Sequence, residues 1–522
     1  MNPPVAPLAV LFLCLTLSAA RSTPLPSPPY QPPAFTESHG ERATRVRALA
    51  PEIEALFREH AVSNHVPGLA YGVVVDGSLV ISGAHGYANL EKQIPATPKS
   101  VFRIASMTKS FTAMAILRLR DRGKVDLEAP ASRYLPELRK LPLLTRDAPS
   151  ITLRHLLTHG AGFPEDNPWG DRQLADTDHD LVDLIRSPAQ FSNPPGLAYE
   201  YSNLGFALLG RTVQQMSGRS CQTYITREIL RPLGMASTYW EPDRVPADLL
   251  ARGYRWEEQV WKPEIPLGDG SYAPMGGMLS TVEDFAKYMA LHLSAWPPRN
   301  DPEDAILRRS SLREMHHPWR ISGHSIAAKD GEGQPCPQVT AYAYGLAWGR
   351  DCRDLVRIGH SGGLPGYGSN WRIHPELGVG IVALGNVTYA GFSGINGKVL
   401  DRVVQRAGLK PRPLPASEIL QSRAEALVHL LPDWDRAEES GIFAENFFPD
   451  NPPALLRRKT RALFSKAGTI QSVEAIRPEN QLRGTLLLRG SQATLEVFFT
   501  LTPENPPLIQ EVRIREAEVP AP

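Results

Sequence analysis

Ser106 and Lys109 stand three residues apart in the run Phe102-Arg-Ile-Ala-Ser-Met-Thr-Lys109. On a helix that spacing puts a hydroxyl and an amine on one face. A serine hydroxyl is a poor nucleophile until a neighbouring base takes its proton. A lysine can act as that base if its surroundings lower its pKa. A helix start adds a favourable field and backbone N–H groups aimed at a developing oxyanion. Alone, S-x-x-K recurs by chance in many helices. Two further stretches give it context. Pro195-Gly-Leu-Ala-Tyr-Glu-Tyr201-Ser-Asn203-Leu-Gly205 follows, carrying a phenol and an amide two residues apart. His360-Ser361-Gly362-Gly363 comes later, at the end of a strand-like run.

These groups need elements to hold them. The apolar spacing predicts a helix over Ser106 to Arg122, closed by Gly123, and another over Tyr201 to Ser217, closed by Gly218. Thr44 to Glu59 reads as an amphipathic helix. Gly68 to Val75 and Leu79 to Gly86 flank Asp76-Gly77 as a hairpin. Leu153 to Thr158 leads into a Gly-rich turn, and Ser280-Thr281 opens a helix with a capping-box pattern. Beyond Tyr344 the period becomes that of strands, at Tyr344 to Gly349, Asp354 to Ser361, Ser369 to His374 and Gly378 to Asn386. Phe392 to Arg406 is a last helix. The expected class is α/β (α+β), an antiparallel sheet flanked by helices with a helical subdomain.

The ordered motifs S-x-x-K, Y-x-N and K/H-[ST]-G resemble the signature of serine β-lactamases and penicillin-binding proteins, in the branch of class C β-lactamases, D-alanyl-D-alanine carboxypeptidases and esterases. Thr152-Leu-Arg-His-Leu-Leu-Thr-His-Gly160 and Gly276-Gly-Met-Leu-Ser-Thr281 are similar to intermediate stretches of that family, and the resemblance spans about Glu52 to Ala407. It implies that Ser106 is acylated, that Lys109 shares its proton, and that Tyr201 serves as base for acylation and activates the hydrolytic water. It further implies that Asn203 orients Lys109 and the substrate amide, and that the Ser106 and Gly363 N–H groups form the oxyanion hole. His360 and Ser361 would contact substrate. His360 stands where many relatives have lysine, which implies a poor β-lactamase and a better esterase or peptidase. An imidazole of ordinary pKa is mostly neutral at pH 7, so anionic substrates should suffer about tenfold, less as pH falls toward 6. The implied substrate is a D-alanyl peptide, a small ester or amide, or, weakly, a β-lactam. No cofactor is implied. A catalytically silent scaffold with the same fold is the alternative.

Gly359-His-Ser361-Gly-Gly363 also fits G-x-S-x-G, but a nucleophile elbow needs a helix directly after the serine, and here a second strand follows Leu364-Pro-Gly. His155 and His159 are expected to make local hydrogen bonds rather than to bind metal. His316-His317 reads as a solvated pair. Trp169, Trp240, Trp256 and Trp261 could line a cleft or simply pack. Asn386-Val-Thr388 is a glycosylation sequon.

Lys+Arg and Asp+Glu total 56 and 55, so the chain lacks the electrostatic footprint of a nucleic-acid binder. Residues 1–20 read as a cleaved signal peptide, an apolar run too short for a confident membrane span, and place the protein in a secreted or periplasmic compartment. No other stretch is apolar enough to span a membrane. Residues 21–43 form a Pro-rich linker, 44–408 the serine hydrolase domain, 409–416 a second linker and 417–522 a small α+β domain expected to be separable. Cys336 and Cys352 could be bridged or could stay, with Cys221, as free thiols.

Overall fold

The computed structural model describes residues 30–187, 190–303 and 306–517. The predicted signal peptide, residues 1–20, lies outside them. Helices α1 (His39–Arg47) and α2 (Ala50–Ser63) precede strands β1 (Gly68–Val75), β2 (Ser78–Asn89) and β3 (Ile94–Pro95). The principal helices of the middle are α3 (Thr108–Asp121), α4 (Leu153–Leu157), α5 (Asn203–Ser217) and α6 (Val282–Ser294). Six strands follow: β4 (Arg320–Ser325), β5 (Gln338–Tyr342), β6 (Ala347–Asp351), β7 (Val356–Leu364), β8 (Tyr367–His374) and β9 (Val379–Gly385). Helix α7 (Phe392–Arg406) closes the unit.

The main sheet has nine strands in the order β3-β2-β1-β9-β8-β7-β6-β5-β4. The sequence of β1, Gly-Leu-Ala-Tyr-Gly-Val-Val-Val, explains its central place, because every residue in it is buried. Leu69, Tyr71, Val73 and Val75 join one core with Phe57 of α2 and Val399 of α7. Ala70 and Val74 point the other way, into a larger core with Phe111 of α3, Leu208 of α5 and Phe285 of α6. A strand covered on both faces reads as a continuous apolar run rather than an alternating one.

Several sequence-based expectations need correcting. The predicted helix over Thr44 to Glu59 is two helices, the first starting at His39 under a Ser38–Glu41 capping box, within the stretch read as linker. Phe35 is packed under the guanidinium groups of Arg42 and Arg412, and Leu409 is buried in the core. Both ends of this compact unit therefore reach into the stretches read as linkers. The strands β4 and β5, which complete the sheet beside β6, lack a clean period-2 pattern and were not expected from sequence. At Thr281 only half of the capping box forms: Oγ1 accepts from Asp284 N at 3.1 Å, while the Asp284 carboxylate accepts from Ser237 N at 2.7 Å and Thr238 Oγ1 at 3.0 Å. His316 is buried, not solvated. Trp296 Nε1 donates to its Nδ1, which leaves the proton on Nε2 facing His292 Nδ1 at 2.8 Å. The Asn386 side chain is fully buried and donates to the carbonyls of Tyr87 and Ala88, so the folded chain offers no amide there for glycosylation. Cys336 and Cys352 form a disulfide, and Cys221 is a buried thiol.

A second compact unit begins at Pro415. Helices α8 (Glu418–Leu430) and α9 (Pro453–Ala467) accompany strands β10 (Ile470–Val473), β11 (Arg477–Asn480), β12 (Arg483–Gly490), β13 (Thr494–Leu501) and β14 (Ile509–Glu516). The sheet order is β10-β12-β13-β14, with β11 also paired to β12. In β13 every second residue is buried, so one face packs on Trp434 and Phe447. Among the described residues no helix is long and apolar enough to cross a membrane.

Candidate active site

The turn that carries Ser106 is pinned from three sides. Phe102–Arg103 pairs with Leu279–Ser280, and Ile104 N donates to Met278 O at 2.9 Å. Ala105 is then forced to a φ of 51°, unusual for a residue with a side chain. A single 3₁₀ turn, Ala105–Met107, leads into α3. From the sheet side, β7 runs against this turn so closely that a Cβ on Gly362 would meet Ile104 O at 2.3 Å. On the neighbouring strand, Ser369 Oγ donates to the same carbonyl at 2.7 Å. The glycine after Ser361 is thus a packing requirement of bringing the strand and the Ser106 turn together.

Lys109 is fully buried one turn beyond Ser106. Its Nζ lies 3.0 Å from Ser106 Oγ, 2.7 Å from Asn203 Oδ1 and 2.8 Å from Met275 O. Burial, partly opposed by Asp171 and Asp166, holds its pKa down at about 7. The three contacts serve both protonation states. An ammonium donates to all three oxygens. After losing a proton, two N–H groups can remain on the carbonyls of Asn203 and Met275, leaving the lone pair facing Ser106 Oγ.

Tyr201 lies just before α5, not inside it; the helix starts at Asn203, with Ser202 as its N-cap. Tyr201 lines the same cleft as Ser106, and burial pushes its pKa well above the ordinary phenol value. It rests as a neutral phenol, 4.8 Å from ring centroid to Lys109 Nζ. Its ring packs against His159, whose Nδ1 accepts from Ser202 N at 3.0 Å. His155 completes a capping box with Thr152 at the start of α4. His155 therefore makes the local hydrogen bond expected of it, whereas His159 is held across 43 residues by the backbone ahead of α5.

His360 overturns part of the sequence reading. It is buried, its Nδ1 faces the Ser361 carbonyl at 2.5 Å and its Nε2 faces the Tyr342 hydroxyl at 2.8 Å. The carbonyl can only accept, so Nδ1 carries the proton and Nε2 accepts from Tyr342. No ring nitrogen is left for a substrate. Burial and the Lys109 charge hold its pKa down at about 3. The expected relief for anionic substrates near pH 6 therefore disappears. The ratio of kcat/KM for an anionic to a neutral acyl substrate is expected to stay flat from about pH 8 to 5, once Lys109 titration has cancelled in the ratio. A rise in that ratio with a midpoint between 6 and 7 would show an accessible imidazole instead.

Ser361 is exposed in mid-strand, with Oγ accepting from Asn370 Nδ2 at 2.8 Å, and its strand continues to Leu364 before turning into β8. That is not the strand-to-helix geometry of a nucleophile elbow. Gly363 lines the cleft of about 320 Å³ together with Ser106, Tyr201 and Asn167. A Cβ there would meet the ring of Tyr389 at 1.9 Å. None of the four tryptophans singled out lines that cleft. Trp240 is buried on Thr226, Trp256 and Trp261 pair across a hairpin, and Trp169 stands edge-on to Tyr272.

The structure adds residues that sequence reasoning missed. Asp166 caps α5, accepting from Asn203 N at 2.6 Å and Leu204 N at 2.9 Å, which fixes the amide that holds Lys109. Asn203 Nδ2 donates to Asn167 Oδ1 at 3.1 Å. Tyr389 donates to Asp171, whose carboxyl burial raises to about 6. Tyr342 holds His360. None of these belongs to a motif with a fixed spacing. Met275 contributes a backbone carbonyl, which its side-chain identity does not announce.

The Beta-lactamase family profile matches residues 53–405. The chain is 28% identical over 341 residues to Protein flp of Staphylococcus aureus (strain MRSA252), covering 64% of this chain and 62% of that protein. The chain thus spans about 62% of the length of that relative. It is 29% identical over 342 residues to the unguisins hydrolase ungD' of Aspergillus campestris, covering 62% of this chain and 59% of that one. The octameric penicillin-binding protein homologue from Pyrococcus abyssi superposes with a TM-score of 0.56 at 23% identity, covering 87% of this chain and 94% of its own. The penicillin-binding protein from Bacillus halodurans superposes with a TM-score of 0.50 at 25% identity, covering 65% and 96%.

Proposed function

The chain belongs to the β-lactamase family of serine hydrolases, and from that premise we propose that it hydrolyses small esters, amides or D-alanyl peptides through an acyl-enzyme on Ser106, with Lys109 rather than Tyr201 as the resting base. The observation that carries this reading is the environment of Lys109: an amine held near pKa 7, with two carbonyls to take its N–H groups and the nucleophile's oxygen 3.0 Å away. Ser106 gives its proton to Lys109 as Oγ attacks the carbonyl carbon. The Ser106 and Gly363 N–H groups receive the oxyanion. The neutral Tyr201 phenol hands its proton to the leaving group and is reprotonated from Lys109, which restores the starting state of both. Water then enters by the reverse relay and releases the acid. A relative named a hydrolase and neighbours named for penicillin binding support the acyl-transfer class.

The silent-scaffold alternative gains nothing from this geometry, because a scaffold has no need to desolvate a lysine beside a serine. An extracytoplasmic location fits the Cys336–Cys352 disulfide and belongs to the same proposal.

The test is rapid-mixing kinetics with a p-nitrophenyl ester. A burst of nitrophenol equal to the enzyme concentration, followed by slower turnover, is the signature of an acyl-enzyme. Turnover at the rate of the buffer would refute the proposal. Tyr201→Phe is expected to lower kcat about 10²-fold or more, with the larger loss for amides, whose leaving group needs the proton. Equal, small losses on ester and amide would remove Tyr201 from the relay.

A further inference from the structure

On the face of the sheet turned away from α3 lies a cavity of about 570 Å³, bounded by β5 to β8, the first half of α7 and the Lys329–Gly331 loop. The strand period explains its lining. In β7 it is Arg357, Gly359 and Ser361 that face it, and in β8 it is Asn370 and Arg372. Four cations stand around it: Lys329, Arg357, Arg372 and Lys398. Two carboxylates are also there, and both are engaged elsewhere. Asp401 is paired with Arg353 at 2.7 Å and accepts from Gly331 N at 2.8 Å. Asp330 accepts from Glu332 N at 3.0 Å and Gln334 N at 2.9 Å.

Among the described residues none of the four cations has a carboxylate partner within ion-pair distance. Arg357 donates to the Gln338 amide oxygen and Arg372 to the Ser393 hydroxyl. Buried Arg42 and Arg309 each have a carboxylate partner, Asp76 and Asp301, whereas buried Arg103 is held by the Gly277 and Leu267 carbonyls alone. Partial burial and repulsion from Arg357, offset in part by Asp401, lower the pKa of Arg372 to about 10. Among the described residues its guanidinium has no directly paired carboxylate to offset that desolvation, only the Ser393 hydroxyl. Its planar fork suits a carboxylate or phosphate.

The cavity and the catalytic cleft meet. His360, Ser361 and Ser393 line both. The Asn396–Asn370–Ser361 chain of hydrogen bonds runs along their common wall, with Asn396 Nδ2 2.9 Å from Asn370 Oδ1 and Asn370 Nδ2 2.8 Å from Ser361 Oγ. Since His360 offers no free donor, charge recognition on this side of the cleft falls to the cations beyond it.

We propose that this cavity receives the anionic end, a carboxylate or phosphate, of the molecule whose carbonyl acylates Ser106, with Arg372 as the principal contact and Arg357 and Lys398 beside it. This rests on the acyl-enzyme reading above and assigns the substrate class: acyl groups or peptides that carry a negative charge at a distance from the scissile bond.

The experiment is a series of p-nitrophenyl monoesters of dicarboxylic acids of increasing chain length, each paired with an uncharged ester of equal length. At one chain length the anionic ester should exceed its neutral partner in kcat/KM by about tenfold or more. That ratio should fall toward one in Arg372→Gln, and in the double variant Arg357→Gln, Lys398→Gln, which keeps the test open if Arg372→Gln does not fold. It should also fall as sodium chloride is raised. A ratio near one at every length, or one the variants leave unchanged, overturns the proposal. A second arm does not depend on acyl chemistry: calorimetric titration of Ser106→Ala protein with glutarate and with inorganic phosphate. Binding that disappears in the cation variants supports the anion site even if the ester series is not turned over. Binding of free phosphate without any chain-length preference among the esters makes the cavity a site for a free anion and overturns the substrate assignment.

Discussion

Ser106→Ala is expected to abolish ester turnover, lowering kcat/KM by at least about 10⁴-fold, while the thermal unfolding midpoint stays within a few degrees of the wild type. The size of the loss follows from chemistry. An acyl-enzyme needs an oxygen to carry the acyl group, and no other hydroxyl shares Lys109 Nζ among the described residues. The small effect on stability follows from structure. Ser106 Oγ is not the only acceptor for Lys109, since Asn203 Oδ1 and Met275 O remain. The positive φ that shapes the turn is at Ala105, which the substitution leaves untouched. The check is steady-state kinetics alongside calorimetric unfolding of both proteins. Activity surviving at more than about a hundredth of wild type would place the nucleophile elsewhere.

Lys109→Met is expected to cost about 10²–10⁴-fold in the burst rate and to change its pH dependence. With Lys109 near pKa 7, the neutral amine grows from about a tenth of the population at pH 6 to about nine tenths at pH 8. The wild-type burst rate should therefore rise over that window and level off above it. Methionine fills the same slot but takes no proton, so the residual rate should lose this rise. The stability effect has two opposing parts. The Asn203 and Met275 carbonyls lose a donor, at about 1–3 kcal/mol for a buried unsatisfied group. Against this, an amine that is costly to desolvate is gone. The sign for stability against pH follows from the lowered pKa: the folded chain binds the lysine proton less tightly than the unfolded chain does, so the cost of Lys109 to the fold grows as pH falls from about 10.5 to about 7 and is constant below that. Between about pH 10 and 7 the methionine variant should accordingly lose less stability than wild type, and below about pH 7 the two should run parallel. An unchanged burst rate, or one that keeps its rise near pH 7, would move the base to another group.

How much of this was legible in the sequence depends on the kind of signal. Ser106 and Lys109 could be paired because helical geometry fixes what three residues mean. The β1–β2 hairpin was readable because Asp76-Gly77 both take positive φ, a conformation with a strong residue preference. Fully buried β1 could be read as a strand, though its two-sided burial shows only once α2 and α6 are in place. Other features depend on partners far away in the chain. Asp166 acts on Asn203 from a loop, and His316 is buried because Trp296 and His292 happen to fold around it. His360 shows the limit most clearly. Residue type alone suggested a titrating imidazole open to substrate. Tyr342 on β5, a strand whose sequence gave no clear period, turns it into a neutral buried group with both nitrogens occupied. The Asn386 sequon fails for the same reason: a local pattern carries no information about burial.

The central claim is that Ser106, and not Ser361, becomes acylated. The most direct measurement is peptide-level mass spectrometry of the intact protein after reaction with a fluorophosphonate. One equivalent of adduct on the peptide containing Ser106, absent from Ser106→Ala and much slower to form in Lys109→Met, is the predicted result. An adduct on Ser361, or labelling that persists in Ser106→Ala, would contradict it.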